Sequence, residues 1–223
     1  MNTIPLFEPL AAELERVERK MREPAHPEYP QLTAVLSTLL ESGGKRLRPA
    51  LALLAGRFYR ADIEKLVSLA ASVEMLHTAT LVHDDLIDGS LLRRGNSTVN
   101  ARWSAGATVL TGDYLFARAA AFAAETGNVR VMSIFANTLM TICSGELRQI
   151  FVRLHVPHLV TVLAWNEALD QYDMRIHAKT ASLFAAATEA ASVLGSAPET
   201  EQAALRSYGQ LLGTGFQIVD DVL

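Results

Sequence analysis

Apolar residues recur along this chain at helical spacing, in segments cut apart by proline and glycine, and no stretch keeps the two-residue period of a strand. The spacing predicts an amphipathic helix from about Leu6 to Arg22, ended by the Pro-rich run Glu23-Pro24-Ala25-His26-Pro27-Glu28-Tyr29-Pro30. A short helix over Gln31 to Glu41 follows and leads into the turn Ser42-Gly43-Gly44-Lys45-Arg46-Leu47-Arg48. Pro49 suits the first position of the next helix, which ends near Tyr59. Ile63 to Ile87 is largely apolar and holds neither Gly nor Pro, so it predicts a long, mostly buried helix running to Asp88. Gly89 to Ser97 reads as a loop, Ala107 to Glu125 as a helix and Thr126-Gly127-Asn128 as a turn. A further helix reaches about Leu154, and after Pro157 an irregular or helical stretch leads to Asn166, an N-cap for a helix over Glu167 to Leu194. Gly195-Ser196-Ala197-Pro198 breaks the chain before a last helix. Without a repeat or an interdomain linker, the pattern predicts one all-α domain over residues 1–223, an antiparallel helical bundle.

Composition agrees with that architecture. Half of the 223 residues are hydrophobic but only 7% are aromatic, and the apolar content is carried by Ala, Leu and Val. Ala and Leu are strong helix formers. A net charge of −4 gives no support for nucleic-acid binding. The single cysteine, Cys143, lies in an apolar run and is expected in the core; it cannot form an internal disulfide, which suits a reducing compartment. The start of the chain shows no basic region followed by an apolar one, so no secretory signal is read there. The longest uncharged stretch, Val131 to Gly145, is too short to span a bilayer. Asn96-Ser97-Thr98 spells a glycosylation acceptor, a coincidence in a chain that is not exported. These features predict a soluble cytoplasmic protein.

The chemistry is concentrated in Leu81-Val82-His83-Asp84-Asp85-Leu86-Ile87-Asp88-Gly89-Ser90-Leu91-Leu92-Arg93-Arg94-Gly95. Asp84 and Asp88 are one helical turn apart and stand on one face. Carboxylates that close repel unless a cation joins them, and oxygen-only donors favour Mg²⁺ or Ca²⁺ over zinc. The adjacent arginines are forked donors suited to phosphate oxygens. Acidic clusters at helix ends are usually solvated surface, but the apolar run before this one argues that the carboxylates are partly buried, where unpartnered charge is costly.

Four other groups carry candidate chemistry. Gly43-Gly44-Lys45-Arg46-Leu47-Arg48-Pro49 sets three cations at a helix start, a place that favours anions. It is not a P-loop, because Arg46 stands where Ser or Thr belongs. His77 lies seven residues before Asp84 on the same helix face, about 10 Å away along the axis, which suits two ligands side by side. Lys179-Thr180 sits within an apolar helix, where the lysine could snorkel to solvent or reach a buried anion. Gln217 precedes Asp220 and Asp221 by one helical turn, so amide and carboxylates can share a face. Singly, each also fits a plain alternative: a solvated basic turn, a core histidine, a surface lysine, a frayed acidic tail.

Together and in this order, the Gly43–Pro49 turn, the run His77 to Asp85, Arg93-Arg94-Gly95, Lys179-Thr180-Ala181-Ser182-Leu183-Phe184 and Phe216-Gln217-Ile218-Val219-Asp220-Asp221 resemble the trans-isoprenyl diphosphate synthases, or polyprenyl synthetases. The resemblance covers about Ser42 onward and is loose in the first forty residues. It implies an isoprenoid-synthase bundle with a central cavity, and condensation of isopentenyl diphosphate with an allylic diphosphate by Mg²⁺-assisted ionisation. It implies Asp84, Asp85 and Asp88 as the first aspartate-rich motif, with Asp84 and Asp88 the direct metal ligands, and Asp220 holding a further Mg²⁺ from the opposite helix. Arg93, Lys179, Thr180 and Gln217 would bind the allylic diphosphate. Lys45, Arg48, His77 and Arg94 would bind isopentenyl diphosphate. Small residues at Ala79 and Thr80, five and four positions before the first aspartate, imply a product longer than farnesyl, with Leu76 a partial floor. A homodimer is implied as well.

The family's second motif is DDxxD, whereas this sequence ends at Asp220-Asp221-Val222-Leu223, before a third aspartate. The expectation for the chain as printed is an incomplete second metal site and bundle, with little or no turnover. Two other functions share part of the pattern. A class I terpene cyclase shares the first motif but would carry an Asn/Ser/Glu-type second one and would not need the basic glycine turn. A non-catalytic subunit of a two-component prenyl synthase would bind and dimerise without turning over. A generic helical scaffold leaves the joint motifs without a reason.

Overall fold

The structure is a computed structural model and describes residues 5–23, 30–41, 44–93, 95–155 and 165–223. The Pro-rich segment 24–29, Ser42 and Gly43, Arg94, and residues 156–164 lie outside the described residues. A 3₁₀ turn (Pro5–Leu10) leads into α1 (Ala11–Arg22), and α2 (Pro30–Glu41) and α3 (Leu47–Phe58) follow. The long α4 spans Ile63–Ile87, and the one-turn α5 spans Val99–Arg102. Then come α6 (Ala105–Glu125), α7 (Val129–His155), α8 (Trp165–Ile176), α9 (Ser182–Leu194) and α10 (Glu199–Val222).

The central helix is α4. Its start is capped by the Asp62 carboxylate, which accepts from the Glu64 N–H at 2.8 Å. It packs against α6, α3, α1 and α9. Ser68 donates to Glu125, Ser72 donates to the Ala119 carbonyl, and His83 Nε2 lies 3.1 Å from the Val109 carbonyl. Partner numbers fall as α4 numbers rise, so α4 and α6 run antiparallel. Their approach at His83 requires Gly112, where a Cβ would lie 2.1 Å from His83 Nε2. Leu53, Leu66, Met75, Leu76, Leu115 and Phe184 are fully buried, each contributing about 1.5–3 kcal/mol from apolar burial. By length and composition α4 could cross a membrane, yet 72% of its apolar window is buried inside the bundle, as for a core helix.

Several boundaries differ from the sequence expectation. Pro49 is the third residue of α3, still within the turn whose N–H groups have no intrahelical partner. Asp88 caps α4, its N–H donating to the Asp84 carbonyl at 2.8 Å. The Gly89–Ser97 loop contains a two-residue ladder, Leu92–Arg93 (β1) against Asn96–Ser97 (β2), permitted by Gly95 at φ 79°. α6 begins at Ala105 because Ser104 caps it. α8 begins at Trp165, so Asn166 lies inside it, and the predicted 167–194 helix is interrupted by a π turn, His177–Ala181. Cys143 is exposed rather than in the core. The apolar run that holds it is helical and buries only one face, at Val131, Thr138 and Ile142, leaving Cys143 and Met140 outside.

Candidate functional site

The C-terminal end of α4 presents Asp84 and Asp88 one turn apart and Asp85 a residue further around. Asp84 and Asp85 are buried and Asp88 is exposed. Asp84 Oδ2 lies 3.0 Å from Lys179 Nζ, and the same ammonium lies 3.1 Å from Glu146 Oε1 on α7. Asp85, a residue further around the helix, accepts from Nε and Nη2 of Arg93 on one oxygen, both at 2.8 Å. Burial pushes the Asp84 carboxyl above its ordinary range; Glu146 and Asp88 add to that rise, and Lys179 opposes it. Burial works against the Lys179 charge, but Asp84 and Glu146 outweigh it and hold the ammonium protonated. Two carboxylates, Asp84 and Glu146, share this one ammonium.

Lys179 reaches the carboxylates because the π turn widens the helix there, a device often found at functional sites. α7 comes close enough for Glu146 to join because residue 145 is glycine: a Cβ there would lie 2.4 Å from that of Ala178. The next residue of the turn, Thr180, donates to Gln217 Oε1 on α10 at 2.7 Å. Gln217 Nε2 donates to Asp221 Oδ1 at 2.8 Å, and the Tyr172 hydroxyl donates to Asp221 Oδ2 at 2.8 Å. Asp220 is exposed on the last turn of α10. α10 lies against the π turn because residue 213 is glycine, 2.7 Å being all that would separate a Cβ from Ala181 Cα.

The basic turn borders the same region from the other side. Arg48 Cζ lies 4.6 Å from the Phe184 ring centroid, and Lys45 Nζ lies 6.0 Å from that of Phe216. The two rings are 5.6 Å apart. Phe216 adjoins Gln217, Gln217 accepts from Thr180, and the neighbouring Lys179 pairs with Asp84. A chain of contacts thus joins the basic turn, the π turn and both aspartate motifs. His77 is half-buried two turns before Asp84, and Thr80 donates to its carbonyl at 2.7 Å. Ala79 and Leu76 are fully buried on α4. Arg94 lies outside the described residues.

The donors suit Mg²⁺. Among the described residues no three His, Cys, Asp or Glu side chains close on one point, but Mg²⁺ usually takes one or two carboxylates plus phosphate oxygens and water. Asp84 and Asp88 offer two hard oxygen donors one turn apart. Glu146, Tyr172 and the anchored state of Asp221 were not anticipated from sequence. Glu146 had one signal: it is the only acidic residue of α7, directly after the uncharged run Val131 to Gly145.

Comparison with known proteins points the same way. A sequence profile of the polyprenyl synthetase family matches residues 29–223. The chain is 39% identical over 214 residues to heptaprenyl diphosphate synthase component 2 of Geobacillus stearothermophilus, covering 96% of this chain and 64% of the relative. The crystal structure of a decaprenyl diphosphate synthase from Rhodobacter capsulatus superposes with a TM-score of 0.86 at 42% identity, over 97% of this chain and 64% of that one. A polyprenyl synthase from Caulobacter crescentus, solved with calcium and isoprenyl diphosphate, gives a TM-score of 0.86 at 38% identity over 97% and 63%. The chain therefore spans somewhat less than two thirds of the length of these relatives.

Proposed function

The chain belongs to the polyprenyl synthetase family, and we propose that it condenses isopentenyl diphosphate head-to-tail with an allylic diphosphate, giving a trans-polyprenyl diphosphate five carbons longer. The allylic C–O bond breaks and diphosphate leaves with the electron pair. The double bond of isopentenyl diphosphate then attacks the allylic cation, a C–C bond forms, and loss of a proton restores a double bond. Departure of diphosphate is the hard step, since charge develops on its oxygens. Asp84 and Asp88 would hold Mg²⁺ on one side and Asp220 on the other, and a metal held there would supply positive charge to the leaving oxygens. Lys179, Arg93, Thr180 and Gln217 orient the leaving diphosphate. Asp85 sets the fork of Arg93, and Asp221 sets the amide of Gln217. Lys45, Arg48, His77 and Arg94 bind isopentenyl diphosphate without metal, and the apolar interior keeps water from the cation.

One observation carries this reading: a lysine held between Asp84 and Glu146 on a π turn whose next residue bonds to the second aspartate helix. The small Ala79 and Thr80 support a product longer than farnesyl, as do relatives named for heptaprenyl and decaprenyl products. The calcium and isoprenyl diphosphate of the Caulobacter structure support a divalent cation beside a prenyl diphosphate. We assign the protein to the cytoplasm and to a homodimer. Incubation with labelled isopentenyl diphosphate, Mg²⁺ and allylic primers of several lengths tests the proposal, and a ladder of longer products would support it. Binding without turnover favours a second reading, a subunit acting with another chain. That reading has its own support in the similarity to a protein named as component 2 of its synthase. The Asp220-Asp221 pair and the basic turn weigh against a terpene cyclase.

A further inference from the structure

The basic turn carries three cations, and the middle one points away from the other two. Arg46 has φ 48° and ψ 34°, the left-handed conformation, and precedes the first residue of α3. A non-glycine residue held there costs of order 1–3 kcal/mol and persists only where its surroundings over-determine it. Here they do. Arg46 Nη1 donates to Glu74 Oε1 on α4 at 2.7 Å, Nε donates to Glu18 Oε1 on α1 at 3.2 Å, and Nη2 donates to the Leu40 carbonyl at the end of α2 at 3.1 Å. Its side chain is 12% exposed and that of Glu74 only 6%. One guanidinium therefore ties the basic turn to three helices, using donors that ammonium could not arrange in the same fork.

The placement of those ties is what matters. Leu40 lies just before the glycines, Arg46 lies between Lys45 and Arg48, and Glu74 lies on α4 three residues before His77. The ion pair thus connects the strand of chain bearing Lys45 and Arg48 to the helix bearing His77. We propose that Arg46, with Glu74, is a positioning residue for the metal-free diphosphate pocket: it fixes Lys45 and Arg48 relative to His77 and does not itself touch the ligand. This rests on the proposed function above, in which those three residues bind isopentenyl diphosphate. Preorganised cations bind a diphosphate without first being ordered, so loosening the turn weakens that binding. The Asp84 and Lys179 side, held by the π turn, is left alone.

The test measures binding of isopentenyl diphosphate by calorimetry in EDTA, and Mg²⁺-dependent binding of inorganic pyrophosphate, on the full chain. Arg46→Met is expected to weaken isopentenyl diphosphate binding about tenfold, the scale of one or two charged hydrogen bonds, and to leave Mg²⁺-dependent pyrophosphate binding unchanged. Because Arg46→Met strands the buried Glu74 charge, the decisive variant is Arg46→Met with Glu74→Met, which removes both charges and restores thermal stability. If this pair acts by positioning, the double variant is stable but still binds isopentenyl diphosphate weakly; recovery of affinity along with stability overturns the proposal. Glu74→Gln separates positioning from direct contact. Positioning predicts weaker binding when Arg46 loses its anchor, whereas unchanged or tighter binding would show Arg46 to be a ligand and overturn it. An unsubstituted chain that does not bind isopentenyl diphosphate removes the functional reading and this proposal with it.

Discussion

Replacing Gly213 by alanine should destabilise the protein, although the same change two residues on should stabilise it. A Cβ at residue 213 would lie 2.7 Å from Ala181 Cα, 3.0 Å from Phe184 Cβ and 3.2 Å from Phe184 Cδ2. Carbon pairs settle at about 3.5–4.0 Å, so α10 must withdraw from the π turn by roughly 1 Å. Overpacking of this kind costs about 1–3 kcal/mol. The withdrawal also stretches the 2.7 Å bond from Thr180 to Gln217 towards the limit of hydrogen bonding, a further loss of about 1 kcal/mol. Alanine's better helix propensity returns about 1 kcal/mol, leaving Gly213→Ala destabilised by about 1–3 kcal/mol. Gly215 is exposed on the same helix, with nothing within 4 Å of a built Cβ. Gly215→Ala therefore keeps only the propensity gain, up to about 1 kcal/mol. Both changes alter the unfolded chain alike, so their difference isolates the helix contact. Urea unfolding followed by circular dichroism should separate the two variants by about 2–4 kcal/mol, or several degrees in Tm at roughly 2–4 °C per kcal/mol for a chain this size. Variants that agree within about 0.5 kcal/mol, the range of ordinary surface changes, would show that α10 does not depend on this glycine.

Three other outcomes are expected. Lys179→Ala leaves Asp84 and Glu146 without their ammonium, so scanning calorimetry in EDTA should show a lower Tm than the unsubstituted chain, and Mg²⁺ should recover more of it in the variant; a loss that Mg²⁺ leaves untouched would refute the cation-ready cluster. Ala79→Phe puts a ring into a fully buried position on α4, at a cost of about 1–3 kcal/mol, and should shorten the product; a chromatogram with unchanged chain length would sink the chain-length assignment. Tyr172→Phe removes one hydrogen bond to the exposed Asp221 and should cost about 1 kcal/mol or less; its informative readout is turnover, which should fall as Gln217 loses a fixed neighbour, while an unaltered rate would make the hydroxyl merely structural.

The helices were legible because Gly and Pro mark their ends and the long 63–87 run has neither. The aspartate motifs were legible because their spacing has a chemical meaning on a helix. What stayed hidden depends on backbone geometry or on contacts distant in sequence. The π turn has no signature of its own, since its residues are as helix-compatible as those around it. The direction of Arg46 is set by a left-handed φ that the surrounding glycines gave no reason to expect at an arginine. Glu146 meets Lys179 across 33 positions, and only its isolation in α7 hinted at a role. Cys143 lies outside because an apolar run need not be wholly buried: a helix on the bundle surface buries one face.

The two halves of the site differ in charge balance, and that difference can sort the two diphosphates. Asp84 and Glu146 share one ammonium, so a bare diphosphate approaching Lys179 meets two carboxylates for that one cation. It gains there only if a divalent ion answers the carboxylates. On the other side Lys45 and Arg48 lie over Phe216 and Phe184, while the carboxylates nearest in sequence contact, Glu74 and Glu18, are taken up by Arg46. An anion arriving there meets Lys45 and Arg48 beside carboxylates that Arg46 already pairs, which supports the proposed binding of a diphosphate without metal. On the proposed function, the diphosphate that must leave would bind where a metal could answer its developing charge, and the one that must stay intact would bind at the basic turn without one. Arg46 and Lys179 each absorb two carboxylates, but Arg46 does so between two further cations of the same turn, Lys45 and Arg48.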